Sequence, residues 1–312
     1  MPLDLEALSV VDAIARKGSF SAAAADMGKV PSALTYTVRK LEDELDLLIF
    51  DRRGSRARLT EAGSLLLKEG RLLLQAAEDT AQRLRQIASG WEVELRIAVD
   101  AVVAFDRLRV LIDEFTKLRA PTSIRLSSEV LDGSWEALLE GRCDLVIGAP
   151  YEAPTDVFDS TRFSQRPLGE IEWVFCVAPH HPLAHSTQPI SPEVLQAHRA
   201  IAIADTSRHW QGRNSGLVPG QSVLTVATLE QKTALQIAGL GCGYLPTSFA
   251  KPHLEAGRLV ALKVAQSKRR ADVRYAWPSR NQGQALAWWL AKLENPRVRS
   301  KLLAGPLTAA SG

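Results

Sequence analysis

Ser32, Thr35, Tyr36 and Arg39 lie at i, i+3, i+4 and i+7 of the segment Pro31 to Leu45. In a helix that spacing puts all four on one face. Hydroxyls and a guanidinium on one helical face suit base edges and phosphates in a major groove. A solvated face has much the same composition, so the neighbouring sequence must decide. Shortly after this helix, Arg52-Arg53-Gly54-Ser55-Arg56-Ala57-Arg58 holds four arginines and no acid in seven residues. A short cationic turn suits phosphates, which supply affinity but carry no sequence information. Arg52, Arg53, Arg56 and Arg58 are therefore expected on a DNA backbone. Ser32, Thr35, Tyr36 and Arg39 are expected at or near base edges.

These residues need short elements to present them. Leu5, Leu8, Val11 and Ile14 form one apolar stripe at helical spacing. Gly18 stops that helix, and Ser19 or Ser21 can cap a second, Ala22 to Met27. Pro31 fits the first turn of a third, where its missing N–H costs nothing. Leu34, Val38, Leu41 and Leu45 fall opposite the polar face and anchor that helix. This is helix-turn-helix grammar. Leu48-Ile49-Phe50 and Ala57-Arg58-Leu59 can pair as a hairpin, making the arginine turn a wing. Residues 1–60 contain nine basic and nine acidic side chains. Glu42, Asp43, Glu44 and Asp46 gather the acids late in the third helix, segregated from the arginines.

Residues 60–89 read as one long amphipathic helix with Thr60 at its start. Leu66, Leu73, Thr80 and Ile87 recur every seven residues, with Gly70, Ala77 and Leu84 in the alternate seam. Such a seam is expected to bury itself against a second chain.

From Val93 the texture changes to strands alternating with helices. Candidate strands are 93–99, 124–130, 145–147, 172–178, 200–204, 259–264 and 273–277, which argues for an α/β domain with a largely parallel sheet. Pro/Gly-rich stretches near 164–169, 212–222 and 266–272 read as surface connections. Trp288-Trp289 is expected on the lobe surface or at a contact between dimers.

The 312 residues amount to roughly two domains at about 150 residues each. Apolar residues at 46% and charged residues at 23% exclude a disordered, collagen-like or disulfide-knotted chain. No apolar run approaches the ~18 residues of a membrane span. The start carries acids and no basic n-region, so a secretory signal is not expected. Cys143, Cys176 and Cys242 are odd in number and far apart, which suits reduced, inert thiols in a cytoplasmic protein. A net charge of +3 is too small to announce nucleic acid by itself.

Several features suggest other chemistry without supporting it. Gly239-Leu240-Gly241-Cys242-Gly243 sits between a helix and a strand, the reverse of the dinucleotide-binding context. His180, His181 and His185 have no Cys or carboxylate at ligand spacing. No cofactor, metal or catalytic residue is expected.

The motifs together resemble one family. Gly18-Ser19-Phe20-Ser21-Ala22-Ala23-Ala24 is similar to the second helix of LysR-type transcriptional regulators, and Ser32 to Leu45 to their recognition helix. Ile49-Phe50-Asp51-Arg52 and Leu59-Thr60-Glu61-Ala62-Gly63 resemble their wing and linker-helix start. In the second half, Leu139 to Leu145, His181-Pro182-Leu183-Ala184 and Gly239 to Pro246 have family counterparts. The resemblance covers the chain to about residue 295. It implies a winged helix-turn-helix domain (1–59), a dimerising linker helix (60–89) and an α/β effector domain (90–312). That last domain would be two-lobed like periplasmic binding proteins, with lobe I about 90–163 and 267–300 and lobe II about 164–266. Pro31 and Tyr36 depart from the family, which usually has Gln and often Arg there.

The implied partners are an operator in double-stranded DNA, a small-molecule effector, further copies in a homodimer or homotetramer, and RNA polymerase. Ligands of doubly wound sheets sit at the carboxyl ends of strands. The expected lining is Asp100-Ala101-Val102, Leu131-Asp132-Gly133, Ala149-Pro150 and Ile203-Ala204-Asp205-Thr206, with Asp132 alternatively a helix cap. Three carboxylates there would repel an anion. The expected effector is thus neutral or weakly acidic with hydroxyl or amine donors, such as a phenol, quinol or indole. Gly90-Trp91-Glu92, Gly133-Ser134-Trp135-Glu136 and Ala204-Asp205-Thr206 also look similar to a branch that senses aromatic compounds. Two rivals remain at this point: a small-molecule enzyme using the α/β half, and a non-specific architectural DNA-binding protein.

Overall fold

The computed structural model describes residues 4–51, 57–152, 162–210, 216–265, 270–280 and 283–306. The chain divides into two compact units, residues 1–85 and 86–312.

In the first unit, helix α1 (Leu5–Lys17) starts on Asp4, whose carboxylate accepts the Ala7 N–H, and ends on Gly18. Ser19 caps α2 (Phe20–Asp26) by accepting the Ala22 N–H, and Pro31 opens α3 (Pro31–Leu45). Each side-chain cap contributes ~1 kcal/mol. Val10, Val11, Ile14, Leu34, Val38, Leu41, Ile49 and Phe50 make the core. Strands β1 (Phe50–Asp51) and β2 (Arg58–Leu59) pair antiparallel, Phe50 opposite Leu59. The hairpin is therefore present; Arg52, Arg53 and Arg56 at its turn lie outside the described residues.

Helix α4 (Glu61–Ser89) begins where the Thr60 hydroxyl accepts the Gly63 N–H at 2.9 Å. Part of its seam is used within its own domain. Leu66 packs on the core, Gly70 is buried against Leu8, and Arg71 pairs with Asp12 at 2.8 Å. The first seam positions therefore hold α4 to α1. Leu65, Leu72, Leu73 and Leu84 remain exposed.

The second unit runs β3 (Glu94–Asp100), α5 (Phe105–Thr116), β4 (Ser123–Glu129), α6 (Asp132–Leu139), β5 (Leu145–Pro150) and β6 (Phe163–Val177). It continues through α7 (Pro192–Gln196), β7 (Ala200–Ile203), β8 (Val223–Val226), α8 (Leu229–Ile237), β9 (Gly243–Pro246), α9 (Thr247–Glu255) and β10 (Val260–Leu262). It closes with β11 (Arg270–Pro278), α10 (Gln284–Glu294) and α11 (Pro296–Leu302). β3 pairs parallel with β4 and β5, and β7 with β8. The other pairings are antiparallel: β11 lies between β5 and β6, and β6 also carries β9 and β10.

The sheet is thus mixed, where a largely parallel one was expected. β6 and β11 are the reason. β6 pairs with β11 up to Glu172 and with β9 from Trp173, so one strand serves both lobes. Residues 164–169, read as a connection, are the first half of β6. Their Pro and Gly fall where the register with β11 slips, a place in a ladder that tolerates them.

Lobe I buries Leu95, Ile97, Leu108, Leu111, Phe115, Tyr275, Leu286 and Trp289 under α5 and α10. On the other face, Trp135 and Leu138 of α6 cover Val146, Ala149 and Ala276. Trp289 is fully buried and Trp288 rests edge-on against Phe115. The Trp pair is core, which corrects its expected place on the surface. Lobe II packs around Phe175, Leu183, Ile190 and Tyr244.

Candidate nucleic-acid interface and ligand cleft

The two faces of α3 differ as its spacing predicts. Leu34, Val38 and Leu41 are buried, while Ser32, Tyr36 and Arg39 are exposed, Tyr36 at 71%. Thr35 is half-buried and its hydroxyl donates to the Pro31 carbonyl at 3.0 Å. Its oxygen can still accept a bond from a base. Arg58 is exposed on β2, opposite Asp51. Glu42, one of the acids gathered late in this helix, is buried at 4% exposure. Its carboxylate accepts the N–H groups of Ile49 and Phe50, joining α3 to the first strand of the hairpin.

In the second unit, the residues expected to line a ligand form much of a closed seam between the lobes. Asp100 is 4% exposed. Its carboxylate accepts the N–H groups of Val102 and Leu131 and the Ser134 hydroxyl. Burial pushes its carboxyl up to about 7 against those bonds. Leu131 sits at φ 54°, a left-handed conformation that a leucine avoids. The Asp205 carboxylate accepts the Gly133 N–H at 3.2 Å. The Thr206 hydroxyl donates to Glu129 at 2.6 Å and accepts the Val130 N–H at 3.0 Å. A Cβ on Gly133 would lie 1.8 Å from that hydroxyl oxygen, so the seam requires glycine there. Asp132 is the first residue of α6, whose cap is Leu131; it is not the helix cap.

The remaining predicted positions scatter. Ala149 is inside the lobe I core, and Pro150 accepts the Trp135 indole N–H through its carbonyl. Ile203 packs on Ala104, Leu229 and Phe249. Ala204 donates its N–H to the Val226 carbonyl. Val102 packs against the lobe I core.

Beside the seam lies a cavity of about 510 Å³ to which both lobes contribute. That size suits a small molecule. Asp100 and Ala101 are the predicted residues that reach it. Phe105, Ser127, Ser128, Thr228 and Phe249 line it as well, together with the acids Asp106 and Glu230 and, among the described residues, no basic one. None of these lies at a strand end recognisable in the sequence. Ser127 and Ser128 precede the end of β4, and Thr228, which caps α8 by accepting the Gln231 N–H, follows a strand that had not been recognised.

Among the described residues, Glu136, Glu140 and His209 could converge on a metal ion. Their carboxylates are already engaged. Arg142 binds Glu140 and Glu129 at 2.8 Å each, and Glu136 accepts the N–H groups of Arg208 and His209. His181 accepts the Leu183 N–H in a turn, and burial pushes its imidazole down. The three cysteines are free and buried, with the thiols of Cys176 and Cys242 pushed up to about 12 and about 11.

Residues 88–295 match the family described as "LysR substrate binding domain". Residues 5–64 match "Bacterial regulatory helix-turn-helix protein, lysR family". The chain belongs to the LysR family of transcriptional regulators.

It is 39% identical over 285 residues to the uncharacterized HTH-type transcriptional regulator YeeY of Escherichia coli, with 91% of each chain covered. It is 38% identical to the regulator PunR of the same organism, covering 94% of each. Full-length CbnR, solved in complex with its target DNA, has the same fold at 17% identity and a TM-score of 0.57, over 94% of this chain and 100% of that one. As a LysR-family member the protein is a DNA-binding regulator with an effector-binding domain. No helix among the described residues is long and apolar enough to cross a membrane.

Proposed function

We propose that the protein reads an operator through Ser32, Thr35, Tyr36 and Arg39, holds phosphates through the wing arginines 52, 53, 56 and 58, and answers to an effector in the interlobe cavity. The observation that carries this reading is the shared lining of that cavity: Val99, Asp100, Phe105 and Ser128 come from one lobe, and Ala227 to Glu230 with Phe249 from the other. A molecule touching both lobes favours one angle between them, and a differential affinity of that kind is what shifts a regulator's population.

The lining also supports an effector class. Phe105 and Phe249 offer ring faces, and Ser127, Ser128 and Thr228 offer hydroxyls. Asp106 and Glu230 disfavour an anion. Asp100, which also reaches the cavity, acts in the same direction, whereas Asp205 is engaged in the seam. The effector is a neutral or weakly acidic aromatic molecule with hydroxyl or amine donors.

Dimerisation runs through residues 60–89, using the exposed Leu65, Leu72, Leu73 and Leu84, and dimers pair into tetramers. Two recognition helices then enter successive major grooves about 34 Å apart.

Thermal shift of the full chain with phenol, catechol, indole and benzoate tests the cavity, with Ser128→Phe as the cavity-filling control. The neutral aromatics should raise the midpoint, and Ser128→Phe should abolish the rise. Benzoate outperforming phenol in a response that Ser128→Phe abolishes would refute the effector class. A neutral-aromatic response that survives Ser128→Phe would refute the cavity.

A further inference from the structure

The α6 side of the lobe I sheet carries a second feature, on the face opposite the Leu95–Leu108 core. Arg274 lies on β11 with Ala149 as its cross-strand partner. The ladder slips on both sides of it, between Val273 and Arg274 towards β6 and between Arg274 and Tyr275 towards β5. A residue at such a bulge is turned out of the regular pleat, a device that re-aims side chains beside functional sites. The Arg274 guanidinium stacks on the Tyr151 ring, 4.3 Å from its centroid. Its Nε is buried and makes no hydrogen bond.

Among the described residues, other buried polar atoms without hydrogen bonds also lie on this side. Gln165 Oε1 comes from β6, where Gln165 pairs with Ala276, two residues along β11 from Arg274. Ser207 Oγ comes from the 204–210 segment, whose Trp210 packs against the cluster containing Ala149 and Ala276. Buried donors and acceptors are almost always satisfied, and an orphan guanidinium N–H costs more than a neutral one. Arg274 is half-buried and Tyr151 exposed, so solvent reaches the edge of the pair. A ring-stacked guanidinium has its planar fork held ready for a planar anion.

We propose that Arg274, stacked on Tyr151 and flanked by Gln165, is the anchor of a second ligand site that takes the carboxylate of a small organic acid. The guanidinium donates to the carboxylate, and Gln165 accepts from a hydroxyl elsewhere on the molecule. This site shares no residue with the aromatic cavity and takes ligands of the opposite charge preference.

The test is thermal shift followed by calorimetric titration of the full chain. The probes are acetate, lactate and benzoate, each beside its amide (acetamide, lactamide, benzamide) and sodium chloride at matched ionic strength. At least one acid should raise the midpoint when its amide and the salt do not. Arg274→Met should weaken that acid at least ~10-fold, Arg274→Lys should weaken it less, and Ser128→Phe should leave it unchanged. An acid bound equally by Arg274→Met, an amide as effective as its acid, or no acid exceeding the salt overturns the proposal. Retained neutral-aromatic shifts in Arg274→Met show both that the variant folds and that the aromatic cavity stands separately. Loss of the acid response in Ser128→Phe overturns the assignment to a second site.

Discussion

The carboxylate of Glu42 on α3 accepts the backbone N–H of Ile49 at 2.8 Å and, at 3.3 Å, that of Phe50 at the start of the wing hairpin. One buried acid thus fixes the wing relative to the recognition helix. Glu42→Ala leaves two buried N–H groups without this acceptor, at ~1–3 kcal/mol each. Denaturant unfolding of the variant should show a loss of about 2–6 kcal/mol in the first unit, with weakened binding to every DNA sequence. A variant as stable as the parent contradicts this role.

Arg39 and Arg58 separate the two kinds of DNA contact. Arg39→Ala should cost ~1–3 kcal/mol on a matched operator and relax the preference at one base position, whereas Arg58→Ala should weaken all duplexes alike and reduce the salt slope by about 1. Anisotropy titrations across a salt series on matched and scrambled duplexes check both. Equal loss on both duplexes for Arg39→Ala would reassign it to the backbone.

Asp100 makes stability depend on pH. Its carboxyl rises from 3.8 to about 7 in the folded protein because burial penalises the charge. The folded chain therefore holds this proton more tightly than the unfolded chain. The contribution is full below about pH 4 and is lost as pH climbs to about 7, a change of roughly 4 kcal/mol. Asp100→Asn cannot titrate, so its unfolding free energy should fall less than the parent's between pH 4 and 7. Parallel curves for the two proteins would contradict the buried carboxyl.

Gly133 and Thr206 test the seam. A Cβ at Gly133 collides with the Thr206 hydroxyl oxygen, which is itself bonded to Glu129 and Val130. Gly133→Ala should lower the midpoint of the effector domain by several degrees, and Gly133→Ala with Thr206→Ser should not restore it, because the hydroxyl remains. Thr206→Ala in the Gly133→Ala background removes the hydroxyl and should recover part of the loss. No effect of Gly133→Ala on the midpoint would mean the lobes do not close there.

Much of this was legible in residue spacing. The caps at Ser19 and Thr60, Pro31 at a helix start, and the buried Leu34, Val38 and Leu41 follow from local chemistry that does not depend on distant partners. Glu42 was not legible, because an acid among acids reads as surface unless its acceptor role across a turn is known. The mixed sheet was hidden for a related reason: Pro167 and Gly169 signal a loop locally, and only the pairing with β11 makes them part of a strand. At the cleft, strand ends were located, but which of their side chains face each other and which face a cavity is set by lobe-to-lobe packing. Asp100 and Asp205 were spent on backbone N–H groups, while Ser128 and Phe249 were left to line the space.

The most direct test is selection of duplexes from a random library by the full chain, repeated with Arg39→Ala. The account predicts enrichment of a two-fold related sequence with half-sites one helical turn, or a multiple of it, apart, and an altered preference at a symmetric pair of positions in the variant. Recovery of unenriched DNA, or the same sequence with and without Arg39, would contradict the assignment of the exposed α3 face as the reader.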